Sequence, residues 1–413
     1  MLKTWFEITL WKRIMGMLVL GIVAGAFWGE GATSISWMGD IFIRLIRMVV
    51  VPLVFVTLVS GIIAMGDPKK LGSLGARTMG MYIGTTAFAI TIGLTLAIIL
   101  QPGVGVDLGN TARELPGASA LSDRLVGIIP TNPIAALAEG NMLAIIFFSL
   151  LMGTGIMMTG KKGEPVAKLF DAGSEVMLKI THLVMEVAPF GVFALIAGMV
   201  GTGGITKLFS VLPLVVAVVG GCIIHMLVVH GSIMKFILKL PPIRFFQGAR
   251  GAQLVAFSTS SSSATLPVTM SVAEDNLGIK APVASSVLPL GSTINMDGTA
   301  VYVGIVAVFA AQAFGIPLGL TEYLLIAATT TLVSIGTAAV PSASLFLMAT
   351  VLQVLDVDAA QTALVVGFLF PFDRPLDMLR TVVNVTGDLS VATAVAKWEG
   401  ELDEDSFRAA PIE

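Results

Sequence analysis

The sequence predicts an all-α polytopic membrane protein with eight transmembrane helices plus two re-entrant helical hairpins arranged as inverted repeats. Three observations lead there. Apolar runs of about 20 residues, the length that crosses a bilayer as a helix, recur from end to end, in a chain of 413 residues that is 55% hydrophobic and only 12% charged. The C-terminal part uses one unusual design twice. Ionisable side chains lie deep inside that same part, where lipid makes them costly.

The first six spans are expected at 13–29, 39–65, 79–101, 126–159, 172–200 and 208–238. The opening stretch lacks a small-residue cleavage site after its apolar run, so it reads as a retained span and not a removed signal. Lys3, Lys12 and Arg13 precede span one; Lys69, Lys70 and Arg77 follow span two; Lys161, Lys162 and Lys168 follow span four; and Lys235, Lys239, Arg244 and Arg250 follow span six. Cytoplasmic loops collect Lys and Arg, which places the N-terminus and the loop after span six in the cytoplasm. Trp5, Trp11, Trp28 and Trp37 flank expected membrane boundaries as an interfacial belt would. The segment GIIPTNPIAALAEGN holds two prolines and predicts broken helical pieces within span four. The acidic end EGELDEDSF reads as a solvated cytoplasmic tail.

After residue 243 the pattern changes. GAQLVAFSTSSSSATLPVTMSVA has apolar arms around a run of hydroxyls from Ser258 to Ser263, and TEYLLIAATTTLVSIGTAAVPSASLFLMATVL repeats that plan. The tips align as SATLP and TAAVP. Each is followed by a helix carrying Asn-x-x-Gly, NMDG at 295–298 and NVTG at 384–387, and both are expected to be interrupted there. Paired interrupted segments in two halves mark the binding region of a secondary transporter. Two ordinary spans with serine-rich kinks are the plainer alternative.

The deep ionisable groups are Asp297, Asp373, Arg374, Asp377, Arg380 and Asp388. A carboxylate at the bilayer centre costs about 2.5–3.5 kcal/mol on insertion scales. Asp377, Arg380, Asn384 and Asp388 follow at spacings of three, four and four, which puts them on one helical face. An ion pair between Asp377 and Arg380 that only ties helices together leaves Asp388, Asn384, Asp297 and Asn295 without a purpose. A polar stripe facing a cavity uses all of them. The hard oxygens of Asp297, Asp388, Asn295 and Asn384 suit a small hard cation, and the low carboxylate count favours Na+ over a divalent ion. Cys222 is a lone cysteine, and His182, His225 and His230 fall outside these segments, so no soft-ligand cluster is expected to compete. A guanidinium at Arg380 matches a carboxylate, Asp377 matches an ammonium, and free N–H groups at the serine-rich tip match a second carboxylate. The solute so described is a zwitterion with an acidic side chain.

The ordered set SSSSATLP, GSTINMDGTA, SIGTAAVP and DMLRTVVNVTGD resembles the dicarboxylate/amino acid:cation symporter family, which includes archaeal sodium–aspartate transporters and mammalian excitatory amino-acid transporters. The similarity runs through nearly the whole chain, with MGDIFIRLIRMVVVPLVFVTLVSG, IIPTNPIAALAEGN and APFGVFALIAGMV as further matches. The resemblance implies a glutamate-transporter-like homotrimer in the plasma membrane, or the inner membrane of a bacterium, with both termini cytoplasmic and lipids as its surroundings. It implies scaffold spans 1–2 in 1–78, span 3 of a transport domain in 79–110 and scaffold spans 4–5 in 111–205. It places the rest of the transport domain (span 6, hairpin 1, span 7, hairpin 2 and span 8) in 206–400, with the tail in 401–413. That domain would move elevator-fashion to import aspartate or glutamate with Na+.

Carried over residue by residue, the family's substrate contacts fall on Ser262, Ser263, Thr299, Val340, Asp377 for the amino group, Arg380 for the side-chain carboxylate, Thr381 and Asn384. One implied sodium site matches Gly291, Asn295, Asn384 and Asp388. A second matches Thr293, Met296, Ser334, Ile335 and Thr337, and a third Tyr82, Thr85, Thr86, Asn295 and Asp297. The extra arginine of family members is missing at Ser260 and at Met378; Arg374, one turn before Asp377, is the available substitute. The outer tip reads VPSAS where archaeal members have glycines.

Alternatives within the family are proton coupling, a C4-dicarboxylate carrier, which needs no ammonium partner at Asp377, and a neutral amino-acid carrier, which needs no Arg380. A passive channel fits paired gates poorly. An intramembrane serine hydrolase lacks a histidine base in the motif-bearing part. Neither an enzyme nor a nucleic-acid partner is expected.

Overall fold

In the computed structural model, which describes residues 5, 7–64, 68–106, 108, 126, 128–335 and 343–411, the chain is helical almost throughout, and the described residues contain no β-strand. The long helices are α1 (Leu10–Trp28), α2 (Ser36–Ala64) and α3 (Pro68–Leu100), then α4 (Pro133–Glu139), α5 (Met142–Thr159), α6 (Glu164–Met185), α7 (Ala188–Gly203) and α8 (Leu212–Ile224). There follow α9 (Pro242–Thr259), α10 (Ser262–Asp275), α11 (Ala281–Ile294), α12 (Asp297–Phe314), α13 (Leu320–Ile335), α14 (Ala343–Val354), α15 (Ala359–Glu399) and α16 (Glu404–Arg408).

Among the described residues, five stretches are long and apolar enough to cross a membrane: Leu10–Ile63, which holds both α1 and α2, Leu74–Leu100, Ala144–Met185, Leu212–Ile237 and Ala281–Phe314. Phe27, Phe88, Met158, Phe236 and Leu320 lie exposed on the outside, an apolar surface that water does not tolerate at this extent. The protein is a membrane protein.

Two packing groups can be traced. In the first, α1, α2, α5, α6 and α7 lie on one another. Gly21 and Gly25 explain the closest of these contacts: a Cβ at Gly25 would stand 2.6 Å from the Ala197 carbonyl, and one at Gly21 2.8 Å from that of Phe193. A small-xxx-small stripe lets helix backbones touch in this way where lipid offers no hydrophobic drive. Arg13 of α1 is buried and donates to Glu186 at 2.6 and 3.1 Å. In the second group α3, α8, α13, α14 and α15 surround α12, whose residues from Asp297 to Ala311 are all buried. Helices α9 and α10 pack on each other and on α15, joined through Ser260 and Ser261. Ser260 has a left-handed backbone (φ 52°), which turns the chain sharply, and Ser261 caps α10 by accepting from Ala264 N–H at 3.2 Å.

Span four breaks as the Asn-Pro predicts: Asn132 caps α4, Pro133 opens it, and Gly140 ends it with φ 72° before Asn141 caps α5. Other expectations need correction. The single span over 172–200 is two helices, because Pro189 has no N–H for the ladder and Glu186 is drawn to Arg13. The interruption at NVTG is not there: α15 runs unbroken through Asn384–Gly387. The acidic end is not solvated throughout. Asp403 N–H donates to Gly278 O at 2.8 Å, Ile279 bridges Leu402, Arg244 donates to Ala409 O, and Phe407 is fully buried.

Candidate functional site

The site grows from the gap between α11 and α12. Gly291, Ser292 and Thr293 weaken the end of α11, and Asn295, a residue that competes for backbone hydrogen bonds, leaves the helix with φ −92° and ψ 83°. Met296 follows with φ −110° and ψ 53°, and Asp297 opens α12, its carboxylate at a favourable helix N-terminus. The expected interruption at NMDG is therefore present.

Helix α15 splints this gap. Asn384 accepts from Gly298 N–H at 2.8 Å, donates to Met296 Sδ at 3.2 Å and offers its carbonyl to Asn295 Nδ2 at 3.4 Å. Asn295 Nδ2 also donates to Asp388 Oδ1 at 3.0 Å. The glycine of NVTG has a packing use: a Cβ on Gly387 would lie 2.5 Å from Asn295 Nδ2. Gly291 is equally constrained, since its Cα faces Tyr82 and Asp388.

From the other side α3 brings Tyr82, Thr85 and Thr86. Tyr82 donates to Val287 O at 3.0 Å, Thr85 approaches Asn295 Oδ1 at 3.3 Å, and Thr86 donates to Asp297 Oδ1 at 2.8 Å. Asn295 and Asp297 are fully buried, and Asp388 is 2% exposed. Tyr82, Thr85, Thr86, Gly291, Asn295, Met296, Asp297, Asn384 and Asp388 thus converge on the gap from α3, α11, α12 and α15.

One expectation fails here. His225 and His230 do belong to this cluster: His225 Nε2 lies 3.0 Å and His230 Nε2 3.8 Å from Asp297 Oδ2. Beyond α8 the helix continues in π form over His225–His230 and Ile233–Ile237. Residues five apart in an α-helix point about 140° away from each other, whereas the wider π turn bonds i to i+5 and aligns them. Helical spacing hid the pair.

A second cluster lies along α15. Arg380 Nη2 donates to Asp373 Oδ1 at 2.8 Å and Asp377 Oδ1 at 2.9 Å, while Arg374 stands 3.6 Å from Asp377 Oδ2. The Arg380 guanidinium lies over the Tyr302 ring at 3.9 Å from its centroid. Arg380 has no exposed surface, yet its Nε and Nη1 have no hydrogen-bond partner. Asp373, which spacing puts seven residues before Arg380, and Tyr302 were not among the expected contacts; Tyr302 gives no polar signal within its apolar run.

Thr381 is buried and bonds back to Asp377 O at 2.9 Å, and Thr299 is buried in the first turn of α12. Ser262 is buried and Ser263 exposed at the head of α10; α9 is tied to α15 by Gln253 donating to Thr386 at 2.9 Å. Thr293 and Ser334 bond within their own helices, to Leu290 O at 3.1 Å and Thr331 O at 2.9 Å. Ile335 ends α13, which touches α11. Thr337 and Val340 lie outside the described residues.

A family profile described as the sodium:dicarboxylate symporter family matches residues 10–398. A proton/sodium-glutamate symport protein of Geobacillus stearothermophilus is 36% identical over 96% of this chain and 95% of its own length. A proton/glutamate-aspartate symporter of Escherichia coli (strain K12) is 35% identical, covering 95% and 93%. A C4-dicarboxylate transport protein of Laribacter hongkongensis is 33% identical, covering 97% and 92%. With its break at Asn295, its buried arginine on α15 and these likenesses along nearly its whole length, the chain belongs to the sodium:dicarboxylate symporter family, a family of transporters and not of enzymes.

Proposed function

We propose that this protein imports aspartate or glutamate by symport with Na+. The observation that carries the reading is Arg380: fully buried, with Nε and Nη1 donating to nothing. A dry guanidinium with unused donors is a receptor for a carboxylate, which it binds in a fork. Ser262 and Ser263 at the head of α10, with Thr299, Val340, Thr381 and Asn384, would complete the solute's surroundings, and Asp377 would take its ammonium. The coupling cations are substrates too. Asp388 with Asn295, Asn384 and Gly291 makes one site, Asp297 with Thr86, Thr85, Tyr82 and Asn295 another, and Thr293, Met296, Ser334, Ile335 and Thr337 a third. All three offer the oxygen donors that hard cations prefer, with Met296 contributing through its carbonyl.

The two packing groups support a division into scaffold and transport domain. In this reading α9–α10 and α13–α14 are re-entrant hairpins, eight helical spans cross the bilayer, both termini are cytoplasmic, and three copies assemble. The transport domain shuttles between the membrane faces in an elevator movement.

A second reading is C4-dicarboxylate uptake, which the Laribacter relative's name describes. It is favoured by the engagement of Asp377 with both Arg380 and Arg374, which leaves less of that carboxylate for an ammonium. Protein reconstituted in liposomes separates the two. Labelled aspartate, glutamate and succinate are supplied in turn, each with an imposed Na+ or H+ gradient. Na+-driven accumulation of the amino acids without succinate supports the first reading. Succinate alone supports the second, and accumulation driven only by H+ replaces the coupling ion.

A further inference from the structure

The chain has three histidines, and two of them meet at one carboxylate that the transport reading assigns to a hard cation. Sodium has no use for imidazole, whereas the divalent ions of zinc, copper, nickel and cobalt favour it. His225, His230 and Asp297 are all fully buried and each offers a ligand atom, all within 4.8 Å of one another. His225 Nδ1 and both nitrogens of His230 have no hydrogen-bond partner, which is rare for dry polar atoms. The ring planes stand nearly perpendicular, 87° apart, with centroids 4.9 Å from each other.

The spacing fits a metal. Donors held about 2.0–2.1 Å from a tetrahedral Zn2+ lie about 3.3 Å apart. The two histidine nitrogens stand 3.0 and 3.8 Å from Asp297 Oδ2, on either side of that value. The π turns of the helix beyond α8 put both rings on one side, a distortion found frequently at functional sites.

We propose that His225, His230 and Asp297 form a binding site for a divalent transition metal of the zinc class, and that its occupation takes Asp297 from the coupling cation and stops transport. As the metal–nitrogen and metal–oxygen bonds form, each imidazole binds through Nε2 as a neutral ring with its one proton on Nδ1, and Asp297 binds as a carboxylate, so no further proton has to leave. The inhibitory half rests on the reading of Asp297 as a cation ligand; the metal site itself does not.

The test uses purified full-length protein stripped with chelator, with Co2+ as probe. Wild type is expected to develop the visible absorption of four-coordinate Co2+, saturating at one ion per chain and displaced by Zn2+. His225→Gln and His230→Gln should each weaken Co2+ binding about tenfold or more, while His182→Gln, exposed on α6, should bind as wild type does. Failure of wild type to bind, or binding untouched by either variant, overturns the site. If a variant does not fold, X-ray absorption of Zn2+-loaded wild type decides: two imidazoles in the metal's shell support the site, and a shell without them overturns it. In liposomes Zn2+ should block Na+-driven uptake, and Na+ should weaken Co2+ binding. Co2+ binding indifferent to Na+ overturns the inhibitory half. Wild type that binds Co2+ but shows no Na+-driven uptake without metal keeps the site and removes the transport reading instead.

Discussion

The two buried charge clusters of this protein differ in how their charge is balanced. Along α15, Asp373 and Asp377 face Arg374 and Arg380, two acids with two guanidiniums on one helix. Around the gap between α11 and α12, Asp297 and Asp388 face, among the described residues, amides, hydroxyls and two imidazoles. The first cluster is formally neutral by itself, and Arg380 still has donors left for a solute's carboxylate. The second carries formal negative charge in a place where lipid or packed protein penalises it, and the coupling cation of the proposed function would remove that penalty. In the proposed function, solute recognition and cation coupling fall to different side chains that share one splint, Asn384.

The largest way to break this comparison is Arg380→Ala. It takes the Arg380 guanidinium from buried Asp373 and Asp377, leaving Arg374 beside Asp377, a loss on the order of 3–5 kcal/mol, and removes the proposed receptor for the solute's carboxylate. Aspartate uptake is expected to disappear and the thermal midpoint to fall; unchanged aspartate affinity would remove the carboxylate role. Next comes Asp388→Asn. It should spare the α15 cluster while raising the Na+ concentration for half-maximal uptake about tenfold, equivalent to ~1.4 kcal/mol. A wild-type sodium titration would take Asp388 out of the cation site. Gly387→Ala presses a methyl against Asn295 and should cost about 1–3 kcal/mol by overpacking, with Na+ affinity falling and solute selectivity kept.

The sharper test of the α15 cluster is small by design. Tyr302→Phe keeps the ring under Arg380, and the Tyr302 hydroxyl has no partner, so stability and uptake should be nearly unchanged. Tyr302→Leu should lose about 2 kcal/mol of desolvated cation–π attraction. Equal effects of the two variants would show that the ring is only filler.

The gap at Asn295 and the polar face of α15 were legible in the sequence, because Asn-x-x-Gly in an apolar run and spacings of three and four have direct geometric meaning. The same Asn-x-x-Gly at 384–387 misled: Gly387 is small to admit Asn295, not to unwind the helix. His225 and His230 were invisible because a period of 3.6 sends them apart and only π turns unite them. The docking of the tail was masked by its acidity. Phe407 and the bridge between Ile279 and Leu402 hold it, and neither stands out in composition.

That docked tail gives the smallest expected effect. Two hydrogen bonds from Ser406, the stronger from its hydroxyl, hold the Asp403 carboxyl below its usual range. A carboxylate so depressed adds stability above its unfolded pKa of about 3.9 and loses it as pH falls through the folded value. Ser406→Ala should therefore lower the thermal midpoint at pH 6 by about one degree or less. The difference from wild type should close under strong acid; a difference that grows on acidification would assign the sign wrongly.

Equilibrium binding of labelled aspartate to purified protein, titrated with Na+, tests the division between the clusters most directly, since cation and solute sites that share Asn384 must be coupled reciprocally. Aspartate affinity is expected to rise steeply with Na+ in wild type and to lose most of that dependence in Asp388→Asn. Aspartate binding of the same strength with and without Na+ would contradict it.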